Sequence, residues 1–227
     1  MRLVEPAEAP SASSGAESVA AEPRAEAPKP EQSMAGAISA LPDEQLVALG
    51  LKGNVAAFET LYRRHVAFAL HLAIRIAGSN RDAEDVVHDA FVKAFEKLSE
   101  LSDAALFRAW LGSIVVHGVR SRMRRARLMK ALGLGGYADP VEIDSIASHA
   151  ASPLVRAQIA QVYALLQTLP TDERIAWTLR AVEGHELETV AQLTRCSLAT
   201  VKRRISRAQQ WLDEHFVETG ADQELSS

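Results

Sequence analysis

Six basic side chains stand in the run RSRMRRARLMK: Arg120, Arg122, Arg124, Arg125, Arg127 and Lys130, with no acid among them. The run follows an apolar-periodic stretch, Phe107 to Val119. A helix that leaves a hydrophobic core and continues as a cationic rod suits a polyanion, because each Lys or Arg set on a phosphate releases a condensed counterion. A second basic run, TVKRRISRAQQ (Thr200 to Gln210), lies about seventy residues further on. Two basic helices in a chain of net charge -4 point to a protein that grips DNA in two places.

The second run sits in a helix-turn-helix pattern. Val190 to Leu193 would close its first helix, Thr194 to Ser197 would form the turn, and Ser197 would cap the second helix by accepting from a free backbone N–H. Leu198, Val201 and Ile205 recur at helical spacing and would pack inward. That leaves Ser197, Thr200, Lys202, Arg203, Ser206 and Arg207 for DNA. The second helix of such a unit enters the major groove, where Arg reads guanine with its fork while Lys and Thr more often fix register on phosphate.

One constellation could suggest an enzyme. His88 and Asp89 are adjacent, with Glu84 one turn before, and such pairs ligate metal in hydrolases. That chemistry needs further ligands converging from other helices, and the remaining histidines show no ligand spacing. The glycines at Gly133, Gly135 and Gly136 follow a helix rather than a strand, so they do not read as a phosphate loop. No catalytic residue, metal or cofactor is expected. Cys196 is the single cysteine, which excludes an intrachain disulfide or a Cys-based zinc site; it reads as small buried filler.

The elements that must position these residues are all helical. Residues 1–40, rich in Ala, Pro, Glu and Ser, read as a disordered extension. Residues 41–130 carry a helix from Pro42-Asp43-Glu44, a longer one with Phe58, Leu61 and Tyr62 on its apolar side, a third from near Asp82 to Leu98, and a fourth from about Ala105 to Leu128. Residues 131–152 read as a linker, residues 153–216 as a second helical domain, and residues 217–227 as a disordered tail. The fold class is all-α, with a four-helix N-terminal domain and a C-terminal helix-turn-helix domain joined by a flexible linker. Charge follows the same division, with 14 basic against 10 acidic groups in 41–130 and eight against seven in 153–216; the other segments are acidic. No apolar run approaches the ~20 residues of a membrane span, and the N-terminus lacks the pattern of a signal peptide. A cytoplasmic location is expected.

With these motifs in hand, a resemblance is evident. Leu169 to Leu212 resembles the promoter −35 element-binding domain of the extracytoplasmic-function (ECF) sigma factors of bacterial RNA polymerase. Arg81 to Leu98 is similar to the same family's core-polymerase-binding helix, and Phe107 to Arg127 to its −10 element helix. The resemblance covers about 41–130 and 153–216. It implies a sigma factor that directs initiation at promoters with −35 and −10 elements. Its partners would be core RNA polymerase (the β′ coiled coil and the β flap), promoter DNA and an anti-sigma factor. Asp85, His88 and Asp89 would dock on polymerase. His117, Arg120, Arg124, Arg125 and Arg127 would serve the −10 region, and the loop Ser99 to Leu106 would cradle a flipped base. Departures from the family pattern are His88 for Gln, His117 for Asn, Glu186 for a capping Ser, Arg195 and Ala199 for Gly, and Arg203 for Ser. The alternative reading is a helix-turn-helix regulator that binds DNA without polymerase.

Overall fold

The computed structural model describes residues 38–134, 141–148 and 150–216; the expected disordered extension (all but its last residues), the tail and part of the linker lie outside them. Every regular element among the described residues is helical. The first block holds α1 (Asp43–Gly50), α2 (Val55–Ala77), α3 (Ala83–Glu96) and α4 (Phe107–Ala131). After the short α5 (Ile143–Ile146) come α6 (Pro153–Thr168), α7 (Thr171–Trp177), α8 (Leu187–Thr194) and α9 (Leu198–His215).

Local chemistry sets the ends of these helices. Asn54 caps α2 by accepting from the Ala57 amide at 3.0 Å. Gly78 ends α2 at φ 72°, a conformation that glycine adopts without steric cost. Ser152 caps α6, with Pro153 in its first turn. Asp43, in the first turn of α1, accepts from Arg64 at 2.5 Å and pairs with His65 at 2.7 Å. It thereby ties α1 to α2 over the buried His65. The helix after Pro170 loosens into a π-helical turn over Thr178–Val182.

The two blocks share one core, and the second block adds a smaller cluster of its own around Leu166, Ala208 and Leu212. Leu61, Leu72, Phe107, Leu111 and Val115 from the first block join Ile175, Leu179, Val190 and Leu193 from the second in one buried cluster. α8 and α7 pack on α4. Gly112 permits the approach: a methyl group there would sit 3.2 Å from the Leu193 side chain. The segment read as linker also contributes. Ile146 is buried with Tyr163 and Leu166, the Glu142 amide donates to the Gly78 carbonyl, and the Glu142 carboxylate accepts from the Asn80 amide. Residues 141–148 are therefore docked, because an apolar residue and an acid lie where the ends of α2 and α6 leave matching partners.

Arg195 is the one non-glycine residue at positive φ among the described residues, at φ 51° and ψ 50°. This is the left-handed turn position that the sequence marks with a departure from glycine. Such a conformation costs an L-residue roughly 1 kcal/mol, and the Arg195 side chain recovers little, reaching the Ser113 hydroxyl only at 3.5 Å. Arg195→Gly is expected to raise unfolding stability by about 0.5–1 kcal/mol, measured by urea denaturation.

Candidate nucleic-acid interface

The N-terminal half of α4 is core: Phe107, Leu111, Val115, Val116 and Val119 are buried. Its C-terminal half is exposed from Arg124 to Leu128. The switch follows the sequence, since apolar residues stop recurring on the inner face after Val119 and Met123. Phe107 is preceded by two short turns, Leu98–Glu100 and Ala104–Leu106. Asp103 holds the second by accepting from the Ala105 amide at 3.0 Å. The loop 99–106 carries no aromatic side chain, so a base seated there would lack a stacking platform.

The basic residues of α4 point in different directions. Arg125 is exposed. Arg120, Arg124 and Arg127 turn towards the second block. Arg120 Nε lies 2.9 Å from Asp172 Oδ1, and both its terminal nitrogens donate to the Thr194 carbonyl at 3.3 Å. Arg124 donates to Asp172 Oδ2 at 2.8 Å, and Arg127 to the Thr168 carbonyl at 3.1 Å. Arg122 instead pairs with Asp82 at the start of α3. His117 is half-buried on the same face. Burial lowers its pKa from 6.5, and the charges of Arg120 and Arg195 lower it further. Burial also pulls Arg120 below its ordinary value, with Asp172 opposing the shift.

In the helix-turn-helix, Ser197 caps α9 by accepting from the Thr200 amide at 3.3 Å, and the two hydroxyls lie 2.9 Å apart. Val201 is buried, with Leu198 and Ile205 partly so. Lys202, Arg203, Ser206 and Arg207 form the exposed face. Arg207 alone among these four has an ionic neighbour, Glu173 at 3.6 Å. At the head of α8, Glu186 makes no capping bond, the consequence expected of a Glu in place of a capping Ser. Cys196 is half-buried beside Thr194 and Arg204, with Sγ 3.2 and 3.4 Å from their side chains.

The third group lies apart from both basic helices. Asp85, His88 and Asp89 are exposed on α3, with Val92 beside them, while Val86, Val87, Ala90 and Phe91 face the core. Spacings of three and four residues place the polar trio on one stripe. The histidine does not gather a ligand set: no cluster of three or more His, Cys, Asp or Glu able to hold a metal occurs among the described residues.

Three residues that matter here were not assigned from the sequence. Asp172 carries only the signature of an acid in the first turn of α7. Arg204 was given no role, yet its Nη2 donates to Asp172 Oδ2 at 3.0 Å. Arg174 crosses between the blocks to the Ala77 carbonyl at 2.5 Å; burial pulls its pKa down to about 10. Nearby, Tyr163 donates to the Arg75 carbonyl at 3.1 Å, and burial pushes its pKa up to about 12. A basic-rimmed cavity of about 740 Å³, whose lining includes Ala73, Val86, Met123, Arg127, Leu169 and Arg174, separates α3 and α4 from α6 and α7. Pairings across 32 to 97 residues leave no local periodic signal. Only the excess of arginine on α4 and α9 hinted that some would be used internally.

Comparison with known proteins assigns both blocks. Residues 61–128 match Sigma-70 region 2, and residues 159–212 match Sigma-70, region 4. The chain is 31% identical to the RNA polymerase sigma-H factor of Pseudomonas aeruginosa over 178 residues, covering 76% of this chain and 92% of that protein. It is 29% identical to the ECF RNA polymerase sigma-E factor of Escherichia coli K12 over 183 residues, covering 76% and 93%. Among solved structures it resembles CnrH in complex with the cytosolic domain of CnrY (30% identity, 76% of this chain and 95% of that one, TM-score 0.50). It also resembles the sigma factor RpoE of Bartonella quintana in complex with the anti-sigma factor NepR (25% identity, 70% and 96%, TM-score 0.54).

The environment of His117 generates a pH prediction. A histidine whose folded pKa lies below 6.5 takes up its proton more readily when the packing around it is lost. Its neutral form therefore costs nothing above pH 6.5, and stability falls as pH drops below that value towards the folded pKa. His117→Asn is expected to flatten that part of the stability–pH curve, measured by thermal unfolding in a buffer series; an unchanged curve would assign the dependence to other groups.

Proposed function

The chain belongs to the ECF group of the sigma-70 family and is an alternative sigma factor, directing promoter-specific initiation by bacterial RNA polymerase; from that premise we propose how its residues divide the work. α3 is the polymerase-docking helix. Asp85 and Asp89 make charge-assisted contacts with basic side chains of the β′ coiled coil, and His88 sits between them. Exposure of this acidic stripe, on a helix whose other face is core, is the single observation that carries the reading. A DNA-binding regulator acting without polymerase has no use for it, and membership of the sigma family further disfavours that alternative.

α4 serves the −10 element. Arg120, Arg124, Arg125 and Arg127 would hold phosphates beside the melted segment, with His117 near the bases. α9 reads the −35 element: Arg203 reaches base edges, while Ser197, Thr200, Lys202, Ser206 and Arg207 fix register. The second block would also rest on the β flap. The chain contributes no catalysis; polymerase supplies it. No described helix is long and apolar enough to cross a membrane, and work on chromosomal promoters places the chain in the cytoplasm. Both solved relatives are complexes, one with the cytosolic domain of CnrY and one with an anti-sigma factor. This chain would likewise be held by an anti-sigma protein.

The test is reconstitution with bacterial core polymerase on a library of promoter fragments. The expected result is a complex that initiates from templates sharing one −35/−10 pair. DNA binding with no polymerase association would overturn the assignment of α3. Two sets of variants test the division of roles. Asp89→Arg should weaken binding to core polymerase by tenfold or more, on the order of 1.4 kcal/mol, without changing the fold as judged by circular dichroism. Arg203→Ala should change which −35 sequence is selected, at a cost of about 1–3 kcal/mol on the preferred one. Arg125→Ala should weaken all promoters alike and reduce the salt slope by about one. Sequence-blind losses from both would defeat the assignment.

A further inference from the structure

The cavity that separates α3 and α4 from α6 and α7 holds a buried cation with no counterion among the described residues. Arg174 lines its inner part and keeps only 6% of its exposure. Its Nη2 donates to the Ala77 carbonyl at 2.5 Å, while its Nε is buried without a hydrogen-bond partner. No carboxylate pairs with it among the described residues. The carboxyl end of α2, where Ala77 lies, offers only about half an elementary negative charge. Burial pulls the Arg174 pKa down to about 10, against the opposing effect of Tyr163 and with that of Arg127. The side chain is thus still a cation at neutral pH.

The surroundings suit a ligand rather than solvent alone. A volume of about 740 Å³ lies within the range of small-molecule sites, roughly 300–1,000 Å³. Ala73, Val86, Val119 and Leu169 give the lining a buried apolar part. Arg127 and Lys130 line it from exposed positions on α4. Among the described lining residues the one carboxylate is Asp82, and it pairs with Arg122. Arg174 is too deeply buried to meet the backbone of a DNA duplex.

We propose that this cavity binds a small amphipathic anion, a carboxylate or phosphate head on an apolar body, with the head on Arg174 and the body against Val86, Val119 and Leu169. The site does not depend on the roles given to α3, α4 and α9. Burying a lone guanidinium is costly, and folding has already incurred that cost. A bound anion converts the uncompensated charge into a charge-assisted pair, with Nε as a donor in place. The apolar body gains by leaving water. Neither part suffices alone: inorganic phosphate lacks the body, and a neutral alcohol leaves Arg174 without its counterion. Arg127 and Lys130 raise the local concentration of anions at the mouth, so association weakens as salt is added.

The test titrates the full chain with sodium decanoate, below the concentration at which it forms micelles, by calorimetry. The expected result is one decanoate bound per chain and a thermal unfolding midpoint that rises with decanoate concentration. Inorganic phosphate and 1-decanol should each bind at least tenfold more weakly. Arg174→Met, which keeps much of the length and removes the charge, should weaken decanoate binding tenfold or more. Ala164→Trp, which fills the cavity from an exposed lining position on α6, should do the same while leaving the circular dichroism spectrum unchanged. Equal binding of decanoate and decanol, or decanoate binding that survives in folded Ala164→Trp, would overturn the proposal, as would no binding by the unaltered chain. Should Arg174→Met fail to fold, the decanol comparison and Ala164→Trp still decide.

Discussion

Three arginines converge on the carboxylate of Asp172 at the point where the two helical blocks meet, and the relation between the two basic helices depends on that point. Exposed ion pairs contribute little, but this cluster is partly sheltered and sits over a continuous apolar interface. Removing the one carboxylate from such a site costs more than its pairwise attraction, because it leaves guanidiniums facing one another without compensation. The apolar part, with Leu193 against Gly112, is non-directional. The ionic part sets which faces of α4 and α9 come together.

α4 carries two duties along one axis. Its first half is a spine, with Phe107, Leu111, Val115 and Val116 fully buried. Its second half is a cationic rod that leaves the core. Neither duty is possible without the other: a basic helix with no buried stem would have no fixed direction, and a buried stem alone would offer nothing to a phosphate. α9 repeats the arrangement on a smaller scale, with Val201, Ala208 and Leu212 inward and Lys202, Arg203, Ser206 and Arg207 outward. The acidic stripe of α3 is spatially separate from both. In the proposed division of roles, polymerase and DNA address different faces of the first block.

What was legible in the sequence was local. The Ser197 cap and the inward spacing of α9 follow from residue type and period, and the left-handed Arg195 from the resemblance, which puts a glycine position there; each is found in the structure. The outward acids of α3 were readable for the same reason. The partners of Arg120, Arg124, Arg127 and Arg204 were not, because they are chosen by packing between elements tens of residues apart. Asp172 carries the ordinary signature of an acid in a first helical turn, and its sequence neighbours say nothing of its three contacts. The docking of 141–148 escaped notice for a related reason. A short segment with Gly and Pro upstream reads as a linker, and its few apolar residues acquire meaning only when α2 and α6 are in place.

In the proposed function this chain holds two promoter elements with two helices, α4 and α9, that share the Asp172 carboxylate in the structure. The most direct measurement tethers an iron chelate to Ser121→Cys on α4 or to Ala199→Cys on α9, each in a Cys196→Ser background. The DNA cuts made within the polymerase–promoter complex are then mapped. Cuts are expected near −10 from the first position and near −35 from the second. Cuts from both positions at one place on the promoter would contradict the proposed function, since α4 and α9 would then sit together on the DNA.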